Sequence, residues 1–255
     1  MNFRREMVLL VVAAQFLTRL PAPRLSAFEP DWVTRSARWF PLVGQLVGAI
    51  AGVVFVGAAQ LWPPAVAAVL ALAAGLLVTG ALHEDGLADT ADGLFGGATP
   101  ARRIEIMKDS RIGTYGVLAL VVAVGLKVAG LAALAPAAAF WALVAVHGLG
   151  RAAAVTAMRL TPYAPEGRPT RWTPAQAGVR TWELAFSLML AAWPLAMLGP
   201  LAAGAAVLGA ALGAAVVIGV AWRRLGGHTG DVLGAVEQTA EVCALLGVVA
   251  VATCA

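Results

Sequence analysis

The sequence predicts an all-α fold, a polytopic membrane helical bundle of about seven transmembrane helices plus an N-terminal interfacial or re-entrant helix. Three observations predict it. Of the 255 residues, 60% are hydrophobic and only 13% charged, and the mean hydropathy is +0.83, far more apolar than a soluble domain. Apolar runs of roughly 20 residues, enough to cross about 30 Å of hydrocarbon, recur along the chain. Arg and Lys are concentrated in alternate connections between those runs. No polar stretch is long enough for a soluble domain, so residues 1–255 read as a single integral membrane domain.

Residues 7–20 come first. This stretch is shorter than a span and closes on LPAP, which suits an interfacial or re-entrant helix, with a tilted eighth span as the alternative. Arg4 and Arg5 precede it as in a signal peptide, but Gln15, Thr18, Arg19 and Pro21 make a poor cleavage site, so the segment is expected to be retained. Spans follow at about 40–62, 64–82, 114–134, 136–159, 183–201, 203–221 and 239–255.

Three of the connections are tiny and uncharged: WPP at 62–64, AP at 135–136 and GP at 199–200. The polar connections, 21–39, 83–113, 160–182 and 222–238, are each separated from the next by two spans and therefore face one side. They hold Arg24, Arg35, Arg38, Arg102, Arg103, Lys108, Arg111, Arg168, Arg171, Arg180, Arg223 and Arg224. The positive-inside rule makes that side the cytoplasm. The formal net charge of +4 is largely this bias, and suits anionic lipid headgroups or an anionic substrate. No basic stripe with interleaved aromatics appears, so nucleic acid is not an expected partner. Cys243 and Cys254 share the last apolar segment and suggest packing rather than a disulfide framework.

The most chemically loaded stretch is HEDGLADTADGLFGG, residues 83–97. On a helix Asp85, Asp89 and Asp92 fall on one face, with Glu84 beside them. Like charges at that spacing repel, and a hard divalent cation, Mg²⁺, removes the conflict while leaving coordination positions for water and substrate phosphates. His83 is a candidate proton acceptor. Gly93, Gly96 and Gly97 follow, and glycine-rich backbone can present amides to phosphate oxygens. The plainer alternative is a solvated acidic loop that caps helix ends.

Downstream, RRIEIMKDSRIGTYG at 102–116 supplies cations. Lys108 and Arg111, with Asp109 and Ser110 between them, are expected to meet substrate, and Arg102 and Arg103 to be anchors. Carboxylates, glycines and then cations suit phosphoryl or nucleotidyl transfer. Arg151 lies about eight residues inside its span and should face a cavity or a carboxylate. In GGHTGDVLGAVEQTAE, Thr229, Gly230, Asp231, Glu237 and Glu241 form a second cassette, or alternatively a helix start capped by Thr229 or Asp231. Lys127, in mid-span, is left outside the site.

In these residues the chain resembles the cobalamin synthase (adenosylcobinamide-GDP ribazoletransferase) family. QFLTRLPAP at 15–23, RWFPLVGQLVGAIAG at 38–52, the two motifs above, GR at 150–151 and GGHTGDVLGAVEQTAE at 226–241 occur in that family's order; 160–182 is least like it. The resemblance implies a Mg²⁺-dependent reaction of adenosylcobinamide-GDP with α-ribazole or its 5′-phosphate, giving adenosylcobalamin or its phosphate plus GMP. It also implies a bacterial inner membrane, and joined with the residue reading it gives a working mechanism: Asp85, Asp89 and Asp92, with Glu84 nearby, hold the cation, and Lys108, Arg111 and Arg151 compensate charge. Asp92 or His83 would be the base, and Asp231, Glu237 and Glu241 would hold a second cation or the ribazole. Homo-oligomerisation and association with other cobalamin-pathway enzymes stay open. Two rivals are a CDP-alcohol phosphotransferase, whose Ala-Arg pair after the first aspartates is lacking here, and a cation or metabolite carrier, which would place acids at mid-membrane with a polar exit opposite.

Overall fold

A computed structural model of the chain describes residues 3–23, 25, 29–164 and 178–254. Arg24, Arg168 and Arg171, and with them most of the 160–182 connection, lie outside the described residues. Among the described residues the secondary structure is helical, apart from an isolated bridge between Tyr163 and His228. The helices are α1 (Phe3–Leu17), α2 (Trp32–Ser36), α3 (Phe40–Ala58), α4 (Pro64–Thr79), α5 (Leu82–Gly96), α6 (Pro100–Met107), α7 (Thr114–Ala132), α8 (Pro136–Leu160), α9 (Thr181–Ala192), α10 (Pro200–Leu225) and α11 (Gly230–Cys254). Pro64, Pro136 and Pro200 each open a helix, where the missing N–H is no loss.

All seven expected spans are helical, but their lengths differ. Among the described residues five segments are long and apolar enough to cross a membrane, Trp32–Ala58, Thr114–Ala132, Pro136–Leu160, Pro200–Leu225 and Gly230–Thr253, and the bent pair Pro64–Thr79 and Leu82–Gly96 would make a sixth if it were one span. The 16-residue α4 rises only about 24 Å, and the apolar segment Thr181–Met197 is similarly short. The last span begins at Gly230 rather than 239, which carries Glu237 and Glu241 into the bundle. Large apolar side chains such as Val121, Val122, Leu208 and Val216 are exposed on α7 and α10, as lipid-facing surfaces require. The chain is an integral membrane protein.

Glycine decides how close the spans come. Gly44, Gly48 and Gly52 of α3 pack on the α8 backbone at His147 and Leu143 and on Phe140, so a Cβ at any of them would collide. Gly209 and Gly213 of α10 meet the α11 backbone at Cys243 and Thr239 in the same way. Cys243 is a free thiol in that contact.

The polar connection 83–113, its acids expected on a helix, is mostly helical, in α5 and α6. Gly80 (φ +66°) and Ala81 (φ +56°) are both left-handed, which stops α4 and turns α5 by 91° from it. Ala81 holds this conformation without glycine's freedom, a strained corner. α5 thereby leaves the spanning direction, and its acids gather at the polar end of the bundle. It packs on α11 where Gly86 and Gly234 meet: a Cβ on either would lie 3.2 Å from the other's Cα.

The first helix is also placed by its ends. Near its start Glu6 accepts from Arg38 at 2.9 Å and from the Trp39 indole at 3.2 Å, and Arg38 and Arg35 both bind Glu183 of α9, at 3.0 and 2.5 Å. Beyond its other end the Arg19 N–H donates to Val78 O at 2.7 Å, in the last turn of α4. Counting alternate spans puts both anchors at the same end of the bundle. Among the described residues α1 is not one of the helices long and apolar enough to cross a membrane, and anchors at one end of the bundle suit the interfacial alternative better than an eighth span.

Candidate active site

Under α1 lies a cavity of about 170 Å³, open to solvent, bounded by α1, α2, α3, α5, α8 and α11. Asp85 and Asp231 lie on one wall, and His83, Arg151 and Glu237 line it deeper along α5, α8 and α11. A second, small cavity of about 30 Å³ lies further into the bundle and shares His83 and Arg151 with the first; Glu84, Lys127, His147, Gln238 and Glu241 also line it. The helix bend at Gly80 and Ala81 brings these two chambers against opposite sides of the first turn of α5.

The four acids of the motif accordingly divide their work. Asp85 is exposed in the outer cavity. Asp89 is half-buried, and burial together with Asp85 and Asp231 pushes its carboxyl up to about 7, Lys108 opposing the shift. Lys108 lies 3.3 Å from Asp231, which brings the two expected cassettes together across the mouth. Glu84 turns inward and accepts from Gln238 at 2.9 Å.

Asp92, expected as a metal ligand and candidate base, is a fastening instead. Its two oxygens accept from the N–H groups of Gly113 at 2.7 Å and Gly116 at 2.9 Å, satisfying free amides at the start of α7. Asp92→Ala is expected to cost about 1–3 kcal/mol through those unpaired amides, seen as faster hydrogen exchange at 113–117; unchanged exchange there would remove the fastening role.

Gly93 and Gly97 correct a second expectation. They do not hold amides out for a phosphate but take α6 at close range, since a Cβ on Gly93 or Gly97 would strike Met107 or the Arg103 backbone; Gly96 would meet Ile106 at 3.7 Å. In the loop beyond, Arg111 is clasped by Asp109 through Nε at 3.0 Å and a terminal nitrogen at 2.6 Å. Those hydrogen bonds hold the Asp109 carboxyl down at about 2. Ser110 is exposed between them.

Arg151 meets both expectations made for it, a cavity and carboxylate partners: it is 3% exposed and bonds Glu237 and Glu241. Lys127, set aside in the sequence, joins the same cluster, with its ammonium 2.6 Å from Glu241 and 2.7 Å from Gln238. His147, one turn before Arg151, lies 3.7 Å from Glu241, and His83 3.8 Å from Glu237. Sequence reasoning missed His147 and Gln238; their spacing, four before Arg151 and one after Glu237, was the available signal. Thr229 caps α11 through the Val232 N–H at 3.2 Å, and Gly230 lines the outer cavity. His228, also missed, shares a 2.8 Å hydrogen bond with Thr161, and burial lowers it to about 4.

Hairpins of apolar helices, with carboxylates and cations drawn to one end around an open cavity, define a polytopic membrane protein with a polar site at its rim. The comparisons give the particular family. The profile described as CobS: Cobalamin-5-phosphate synthase matches residues 9–249. The adenosylcobinamide-GDP ribazoletransferase of Leptothrix cholodnii is 44% identical over 95% of this chain and 95% of its own length. Those of Bradyrhizobium diazoefficiens and Shewanella frigidimarina are 43% identical, over 92% of this chain and 90% of theirs, and 38% identical, over 97% and 96%. No solved structure matches significantly. The chain belongs to the cobalamin synthase family.

Proposed function

We propose that this chain is an adenosylcobinamide-GDP ribazoletransferase, joining adenosylcobinamide-GDP to α-ribazole or its 5′-phosphate and releasing GMP. The observation that carries the reading is the near end-to-end family match, whose shared segments include those that build the cavity. In the reaction a ribose hydroxyl oxygen attacks the phosphorus nearest the corrinoid. The bond from that phosphorus to the GMP oxygen breaks, and the hydroxyl proton leaves.

The donor chemistry fits a hard cation. No group of three His, Cys, Asp or Glu among the described residues forms a ready cage, but Mg²⁺ commonly takes one or two carboxylates and completes its shell with water and substrate phosphates. Asp89, crowded by Asp85 and Asp231, marks where negative charge exceeds its local compensation. Asp85 and Asp89 would hold the ion, with Asp231 facing them. Mg²⁺ bound there would neutralise the diphosphate and the charge that moves to departing GMP. Lys108, half-exposed at the mouth, is placed to follow the GMP phosphate, and Arg151 sets a fixed positive charge at the floor, held by Glu237 and Glu241. The surplus of Arg and Lys at the polar end supports a cytoplasmic active site in the inner membrane, where water-soluble nucleotides arrive.

In proteoliposomes, labelled adenosylcobinamide-GDP plus α-ribazole should yield GMP and the joined corrinoid, and EDTA should stop both until Mg²⁺ is restored. Absence of GMP release with Mg²⁺ and both substrates present would refute the reading.

A further inference from the structure

The outer cavity has two unlike walls, and the second has no part in the chemistry above. Opposite Asp85 and Asp231 it is formed by Phe16, Leu17, Val33, Phe40, Ala154 and Met158, none of which has a side chain that donates or accepts a conventional hydrogen bond. Phe16 and Phe40 stack with ring centroids 5.7 Å apart and planes 14° from parallel, and Phe16 is the more exposed of the two, at 39%. On α8 it begins one turn outward from Arg151, at Ala154, and runs to Met158, about 6 Å further along the axis.

We propose that this wall binds the aromatic base of the nucleoside substrate, seating its benzimidazole ring edge-inward against Phe40 and Met158 with the ribose directed at Asp85 and Asp231. The proposal rests on the functional reading above and adds where the acceptor sits. Four ring systems arrive with the two substrates, and the lining separates them; the adenine of the adenosyl ligand carries an exocyclic amine and ring nitrogens that this wall leaves unpaired. Guanine carries a carbonyl and an amine on its rim, and burying such groups unpaired costs about 1–3 kcal/mol each. A corrin ring is fringed with amides and fares worse. A benzimidazole offers only C–H edges on its benzene ring and a π-face suited to stacking. Phe16 and Leu17 come from α1, so a helix too short to span is retained at the rim as the roof of this seat.

The test measures α-ribazole binding by equilibrium dialysis against proteoliposomes, without turnover, beside the KM of each substrate. Phe16→Ala, at a residue 39% exposed and so no threat to folding, and Met158→Gln should each weaken α-ribazole about tenfold and leave the KM for adenosylcobinamide-GDP within about twofold. Met158→Gln should also narrow the preference for a benzimidazole over an adenine riboside, and Met158→Leu should preserve it. A rise confined to the adenosylcobinamide-GDP KM would overturn the assignment in favour of guanine, adenine or corrin, and unchanged constants for both substrates would make the wall a lipid contact. α-Ribazole binding that responds to these variants in protein that releases no GMP would sustain the seat while refuting the reaction.

Discussion

Asp89→Asn should lower GMP release by about 10²–10³-fold, the scale of losing a charge-stabilising group in a transition state, while the protein inserts and purifies as the parent does. The two outcomes have one cause. Asp89 stands beside Asp85 and Asp231 in a half-buried position that drives its carboxyl to about 7 from 3.8, so its ionised form is destabilising until a cation joins it. Asn has the same shape without the charge; it relieves the metal-free fold and removes a ligand. The sign of the pH effect follows. Because the folded protein binds this proton more tightly than the unfolded chain, stability falls as pH rises from about 3.8 to about 7 and stays at the lower level above that. The melting temperature of EDTA-treated protein should therefore drop between pH 5 and pH 8, Mg²⁺ should recover it more at pH 8 than at pH 5, and Asp89→Asn should flatten both trends. Wild-type turnover in the variant would take Asp89 out of the site.

The features legible in the sequence were those set by local composition. Hairpins could be counted because WPP, AP and GP interrupt long apolar runs, and the polar end could be identified because Arg and Lys are sorted among loops. That Arg151 needed a partner was legible too, since a lone charge eight residues into a span is costly. What stayed hidden depended on where the chain turns. Gly80 and Ala81 form an inconspicuous pair, yet their two left-handed conformations send α5 across the bundle and point Glu84 into one chamber and Asp85 into another. Helical spacing alone put Asp92 with Asp85 and Asp89; the amides that claim it belong to Gly113 and Gly116, more than twenty residues on. The glycines after the acids looked like a phosphate loop because the same residue serves close helix packing and close phosphate approach, and only the partner, here α6, distinguishes the two.

Lys127 gives the second large effect. Removing one member of a buried ion pair typically costs about 3–5 kcal/mol, because the remaining charge keeps its desolvation penalty without its compensation. Glu241 is 1% exposed and Lys127 7%, their charged atoms are 2.6 Å apart, and lipid rather than water surrounds the bundle at that depth. Glu241→Gln and Lys127→Met should each lower the detergent melting temperature sharply and reduce the yield of folded protein. Combined, they should destabilise less than the sum of the single changes by about 0.5–3 kcal/mol, because the double variant removes both charges and leaves Arg151 its bond to Glu237. Strict additivity would mean that Lys127 and Glu241 are held apart in the membrane, and would dissolve the cluster that fixes Arg151 at the cavity floor. If activity returns with stability in the double variant, the cluster's part in the reaction is to hold Arg151 in place; if stability returns and activity does not, Glu241 has a further duty toward substrate through the inner chamber it lines.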